Sequence, residues 1–218
     1  MKELQHQRSH KIRMLIFVKD LPNLCSLTGL FCAVLGIYYA IMGIFPAAII
    51  CILWAVFFDS VDGIIARRMK GRNEEYQAFG KQLDSLIDII SFGIFPAILL
   101  LSYGKFSPWF LPGAFVIAAA SAIRLSYFNV FGLVDDSTYM GLALDNNVII
   151  IAFILLLDGF VNQTVLSAIL YTTLMILAAF NVAPIRTPKL TGRWFYVITA
   201  YVLGLTVIYG WILWSRLM

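Results

Sequence analysis

Charge is what this sequence has least of. Asp, Glu, Lys and Arg make up 13% of its 218 residues, about half the usual share of a soluble domain. That shortage excludes a solvated globular surface over most of the chain, and the length leaves no room for a separate soluble catalytic domain. Histidine is scarcer still. The two present, His6 and His10, fall in the N-terminal arm and receive no catalytic role. The three cysteines, Cys25, Cys32 and Cys51, lie in apolar runs and read as small buried hydrophobes. Their spacing fits no zinc or redox motif. Internal repeats and low-complexity segments are absent.

Apolar residues are what the chain has instead. It is 61% hydrophobic with a mean hydropathy of +0.87, and long apolar runs recur from end to end. The pattern predicts an all-α, polytopic transmembrane helical bundle of six to eight spans. The best count is seven: 22–42, 45–69, 78–103, 108–132, 145–161, 164–183 and 193–215. Gly43 with Pro46, Gly104 to Pro108, Asp135-Asp136-Ser137 and Pro184 to Thr191 supply the breaks. The break at Asp158 to Gln163 is the weakest. Residues 1–20 read as a cytoplasmic amphipathic arm rather than a cleavable signal, because the apolar patch Met14 to Val18 is short and no cleavage site comes after it. Residues 21–218 read as one transmembrane domain.

The formal net charge of +4 is not a nucleic-acid signal, since the basic residues sit at the ends of apolar runs. With the N-terminus inside, the arm, Arg67 to Arg72, Lys81, Arg124, Arg186, Lys189 and Arg193 all fall at the cytoplasmic face. Lys105 and Arg216 fall outside. This bias sets the expected orientation.

Against that background, four carboxylates stand out: Asp59, Asp62, Asp84 and Asp88. A carboxylate in hydrocarbon costs several kcal/mol unless something pairs with it. Asp59 and Asp62 are three apart and Asp84 and Asp88 four apart, so each pair shares a helix face. The short polar link around Lys70 to Gln77 predicts that spans two and three are antiparallel neighbours, which brings the pairs together. All-oxygen ligands suit hard cations such as Mg2+ or Mn2+, and four carboxylates suffice for two ions. Gly63 and Ala66 clear the same face, Gly80 allows close helix packing, and Arg67 can grip phosphate bidentately. Together they describe a diphosphate site. Two rivals are buried salt bridges to Arg67, Arg68 or Lys81, and a cation or proton pathway such as that of a cation-coupled transporter.

These residues resemble the signature of the CDP-alcohol phosphatidyltransferase family, D-x-x-D-G-x-x-A-R followed by G-x-x-x-D-x-x-x-D. Asp59, Asp62, Gly63, Ala66, Arg67, Gly80, Asp84 and Asp88 match every fixed position. The spacer of twelve residues between Arg67 and Gly80 is longer than the usual eight or nine. Leu21-Pro22-Asn23 resembles the family's usual opening of the first span. The resemblance implies transfer of a phosphatidyl group from CDP-diacylglycerol to an alcohol with release of CMP, two divalent cations, and a homodimer in the membrane. It implies Asp59, Asp62, Asp84 and Asp88 as metal ligands, with Asp88 also the general base. Gly63, Ala66, Arg67 and Gly80 would border the nucleotide and its phosphates.

Residues beyond the first signature half narrow the acceptor alcohol. Leu83 to Asp88, then Ser91-Phe92-Gly93 and Pro96, and Ile123 to Asn129, look like the phosphatidylserine synthase branch. Ile89 stands where glycerophosphate and inositol-phosphate branches more often carry a basic residue. L-serine is therefore the expected acceptor, with Arg124 for its carboxylate and Asn129 and Ser85 as polar neighbours. Arg124 as a topological anchor and Asn129 as a cap or interhelical hydrogen bond are the plain alternatives. Gly141 to Asn147 departs from that branch, lacking both prolines of its G-L-P-x-P stretch. Asn146 and Asn147 lie near the same face, as pocket residues or as loop caps. Glycerol 3-phosphate, an inositol phosphate or choline are the alternative acceptors.

Overall fold

Small residues set the first contact of the bundle. Helix α1 (Leu21–Ile41) buries Ser26, Gly29, Ala33, Gly36 and Ala40, three or four apart, so they form one narrow stripe. A Cβ on Gly36 would lie 3.2 Å from the Ala48 carbonyl oxygen, and one on Gly29 3.3 Å from Phe58 Cβ. Without side chains there, α1 lies backbone to backbone along α2 (Phe45–Arg68). Dispersion between close helices replaces the hydrophobic drive that lipid cannot supply. The structure is a computed structural model that describes residues 14–69, 71–132, 135, 138–188 and 192–218. Most of the N-terminal arm, with both histidines, and Lys70, Asp136, Ser137 and Lys189 lie outside the described residues.

Helix α3 spans Glu74–Tyr103. Asn73 caps its start, accepting from the Glu75 backbone N–H at 3.4 Å, and Glu74 and Glu75 complement the dipole of the first turn. Directly after Asp88 the helix widens into a π segment, Ile89–Ile94, before resuming at Phe95. Pro96 comes two residues later and cannot donate a backbone hydrogen bond, so the local loosening falls where the ladder is already interrupted. A short 3-10 turn leads into α4 (Leu111–Phe131), and α5 (Asp145–Ile154) ends in a 3-10 turn over Leu155–Leu157. Helices α6 (Gln163–Val182) and α7 (Arg193–Leu217) complete the bundle.

Six helices among the described residues are long and apolar enough to cross a membrane, and the stretch Asp145–Leu157 is shorter. The best count of seven spans thus resolves into six long helices and one short one. Asp158 and Gly159, the latter at φ +95°, end the short helix, and Asn162 then caps α6 by accepting from Thr164 N–H at 2.9 Å. Helix α5 is held to α7 by two tyrosines. Tyr201 and Tyr209 donate to the carbonyls of Ile149 and Ala152, both at 2.6 Å.

A second feature concerns α2 and α3. The short link predicts antiparallel neighbours that bring the acid pairs together, and Asp59 does meet Asp84 and Asp88, while the two backbones make little contact and α1 packs against both. Their facing sides carry the aspartates, and a group of like charges needs space between the backbones that bear it.

A third feature is a small ribbon. Strand β1 (Thr138–Met140) pairs antiparallel with β2 (Arg186–Pro188), with Tyr139 opposite Thr187. Gly141 makes the turn behind it. Its φ is +74°, its N–H donates to the Ile185 carbonyl at 2.8 Å, and an added Cβ would collide with the Asn181 carbonyl oxygen. Backbone strain at such a position costs about 1–3 kcal/mol for a residue other than glycine, and the collision adds to it. Gly141→Ala is expected to lower the thermal unfolding midpoint of the detergent-solubilised protein by several degrees. A midpoint equal to wild type would show that the ribbon does not need this turn.

Candidate active site

The last turns of α2 and the middle of α3 place the signature acids. Carboxylate oxygens of Asp59, Asp84 and Asp88 all lie within 4.8 Å of one another. Asp88 Oδ1 is buried and has no hydrogen-bond partner. Asp62, one helical turn beyond Asp59, is 6% exposed and accepts a hydrogen bond from the Ser26 hydroxyl of α1. Helix α1 therefore reaches the site through a residue that no sequence motif marks.

The ion pairs found among the described residues are Arg72–Asp20 and Arg216–Asp158. Neither includes a signature acid, so the rival of buried salt bridges to Arg67, Arg68 or Lys81 is not what the structure contains. Three carboxylates this close repel strongly unless protons or cations intervene. Their all-oxygen donor set and the orphaned Asp88 oxygen fit a hard divalent cation.

The acids open into a cavity of about 440 Å3, within the usual range for small-molecule sites. Asp59, Asp62, Gly63, Arg67, Lys81, Asp84, Ser85, Asp88 and Arg124 line it, as do Tyr139, Asp145 and Asn146. Gly63 gives Arg67 its position: a Cβ there would lie 3.3 Å from the Arg67 guanidinium. Arg124 is 7% exposed, its Nε has no hydrogen-bond partner, and its guanidinium carbon lies 5.5 Å from the ring centres of both Phe128 and Tyr139. Burial raises the Tyr139 phenol above its ordinary pKa.

Three of the expected site residues stand elsewhere. Ala66 does not line the cavity. Gly80 does not either. It faces a separate polar cluster, where a Cβ would come within 2.6 Å of Arg72 and 2.8 Å of Asn23. That cluster, with Arg72 hydrogen-bonded to Asp20 and Asn23, joins the start of α1 to the start of α3. Asn129 also stays outside the lining and accepts from the Ser85 hydroxyl at 3.0 Å. Its contact is the interhelical hydrogen bond named as its plain alternative. Of the two asparagines beyond Gly141, Asn146 lines the cavity. Asn147 is fully buried and donates to the Phe92 carbonyl at 3.3 Å, tying α5 to the π segment.

Asp145 and Tyr139 are among the lining residues that the sequence motifs miss. Asp145 is visible as an acid opening an apolar run, beside the two asparagines. Tyr139 lies in a three-residue strand too short to carry a pattern.

Comparison with known proteins points to one family. The sequence model of the CDP-alcohol phosphatidyltransferase family matches residues 19–177. A Methanocaldococcus jannaschii protein named CDP-diacylglycerol–serine O-phosphatidyltransferase is 31% identical over 159 residues, 72% of this chain and 71% of that one. An archaetidylserine synthase of Methanothermobacter thermautotrophicus is 38% identical over 112 residues, 50% of this chain and 47% of its own length. A Bacillus subtilis CDP-diacylglycerol–serine O-phosphatidyltransferase is 29% identical over 86 residues, 38% of this chain and 46% of its own length. The match runs through all eight signature positions and four of the long helices, and this integral membrane protein belongs to the CDP-alcohol phosphatidyltransferase family.

Proposed function

We propose that the protein transfers the phosphatidyl group of CDP-diacylglycerol to the hydroxyl of L-serine, forming phosphatidylserine and CMP. The observation that carries the acceptor is Arg124. It is a buried guanidinium with an unpartnered nitrogen, lining the same cavity as the acids. An acceptor with an anionic group, such as the carboxylate of serine, answers it better than a neutral alcohol or choline does. The names of the three relatives, each a serine enzyme, support the same acceptor.

In this reading Asp59, Asp62, Asp84 and Asp88 hold two divalent cations, Mg2+ or Mn2+. Bound there, the ions would polarise the phosphoryl group and neutralise its developing charge. Arg67 and Gly63 face the diphosphate, with Ala66 behind them. Gly80 acts through packing, by letting Arg72 seat against α1. Asp88 takes the proton of the serine hydroxyl, and its orphaned oxygen suits that role. The serine oxygen attacks the phosphorus that carries the diacylglycerol. The anhydride bond to CMP breaks, and its electron pair leaves with CMP.

Orientation belongs to the same proposal. Arg67, Arg68, Arg72, Lys81, Arg124 and Arg186 cluster at the end of the bundle that holds the cavity, and Lys105 and Arg216 lie at the other. The positive-inside rule makes the first end cytoplasmic. Serine would enter and CMP leave on that side while the acyl chains remain in the bilayer. Residues 1–20 act as an interfacial arm. Phe17 stacks on Phe79 with ring centres 4.5 Å apart, and Met14 and Leu15 are exposed. A homodimer of two such domains is the assembly proposed.

Purified protein given CDP-diacylglycerol is expected to release CMP only when both L-serine and Mg2+ or Mn2+ are supplied. Release with glycerol 3-phosphate and not with serine would keep the chemistry and reject the acceptor. Ion flux in liposomes without CMP release from any alcohol would favour a transporter. Asp88→Asn should lower turnover by roughly 10²–10⁴-fold, the usual weight of a general base, while CDP-lipid binding measured by calorimetry persists. Turnover near wild type in that variant would remove Asp88 from the base role.

A further inference from the structure

Two opposite charges share the cavity without meeting. Arg124 comes from α4 and Asp145 from the first turn of α5, and both line the cavity wall. No ion pair within 4.0 Å joins them. Where this bundle uses charge for structure, it closes the pair. Arg216 reaches Asp158 at 2.8 Å, and Arg72 is in direct contact with Asp20. Desolvating a guanidinium and a carboxylate separately is costly, so an open arrangement calls for a third party between them.

Both groups are held in place. Phe128 and Tyr139 flank the Arg124 guanidinium. Asp145 Oδ1 accepts from the Asn146 backbone N–H at 3.0 Å and from its side-chain amide at 3.2 Å. That amide also donates to the Ala143 carbonyl at 3.1 Å, which anchors the whole turn. Asp145 is not one of the three carboxylates clustered at Asp59, Asp84 and Asp88. It borders the cavity from α5, a helix that carries none of them.

We infer that Asp145 determines acceptor specificity by taking the ammonium of a zwitterionic acceptor whose carboxylate is taken by Arg124. This rests on serine being the acceptor and adds a second recognition point. One charge of each sign, set apart across a gap, matches a small molecule that carries both on one carbon. The same carboxylate repels a phosphomonoester acceptor, so attraction and rejection come from one side chain.

The test compares wild type with Asp145→Asn on three acceptors: L-serine, glycerate, which replaces the ammonium by a hydroxyl, and glycerol 3-phosphate. A hydrogen-bonded charge pair is worth enough that KM for serine should rise on the order of tenfold or more. KM for CDP-diacylglycerol should rise far less, and KM for glycerate should stay or fall. The preference for serine over glycerate would then collapse. Asp145→Glu, which keeps the charge, should recover part of it. Equal losses for serine and glycerate would mark Asp145 as structural and overturn the inference. So would a shift in the Mn2+ concentration needed for half-maximal CDP-lipid binding, which would mark a metal ligand. If wild type uses glycerol 3-phosphate and not serine, the acceptor assignment and this inference fall together. If serine turnover is unmoved by Asp145→Asn, only this inference falls.

Discussion

Like charge held at close range is the constraint on which the structure turns. Asp59, Asp84 and Asp88 bring their carboxylates within 4.8 Å of one another inside an apolar bundle, and among the described residues none of them forms an ion pair. Such a group is tolerable only around cations or shared protons. The arrangement of the helices reflects it. Helices α2 and α3 stand apart where the acids face each other, and α1 fills the role of the missing neighbour by touching both. The small-residue stripe on α1 makes that possible, and Ser26 on the same stripe reaches Asp62.

Charge is handled in two ways in this molecule. Away from the cavity two pairs are closed: Asp20 with Arg72 at one end of the bundle, and Asp158 with Arg216, which also accepts from the Tyr103 hydroxyl, at the other. These contacts tie helix ends together. Inside the cavity the charges are kept open, with acids on α2 and α3, Arg124 on α4 and Asp145 on α5. A folded chain gains nothing from leaving these groups unmatched, so the difference separates sites for ligands from staples for structure.

Much of this was legible in the sequence, and the reasons are local. The acids sit at helical spacing in two segments, so their shared faces could be read without a fold. Long apolar runs declare membrane helices because lipid permits little else. What stayed hidden depends on contacts between distant segments. Gly80 matched a signature position, yet its neighbours Asn23 and Arg72 belong to other parts of the chain. Asp145 has no helical partner, and its meaning comes from Arg124, which lies on another helix. Loop length predicts that α2 and α3 are antiparallel neighbours with their acids together, but says nothing of how far apart their backbones stand or of α1 packing on both. Asp145–Leu157 looked like a span because its composition is apolar, and only the turn at Asp158 and Gly159 shortens it.

The ribbon beside the cavity has a consequence in time. Its first strand precedes α5 and its second comes after α6, yet both border the same cavity through Tyr139, Thr187 and Pro188. A growing chain therefore delivers the acids and Arg124 to the membrane well before the second strand exists. Until then the cavity lacks the lining that Thr187 and Pro188 supply. A chain cut short before Arg186 would carry the complete aspartate signature but only one strand of the ribbon that borders the same cavity.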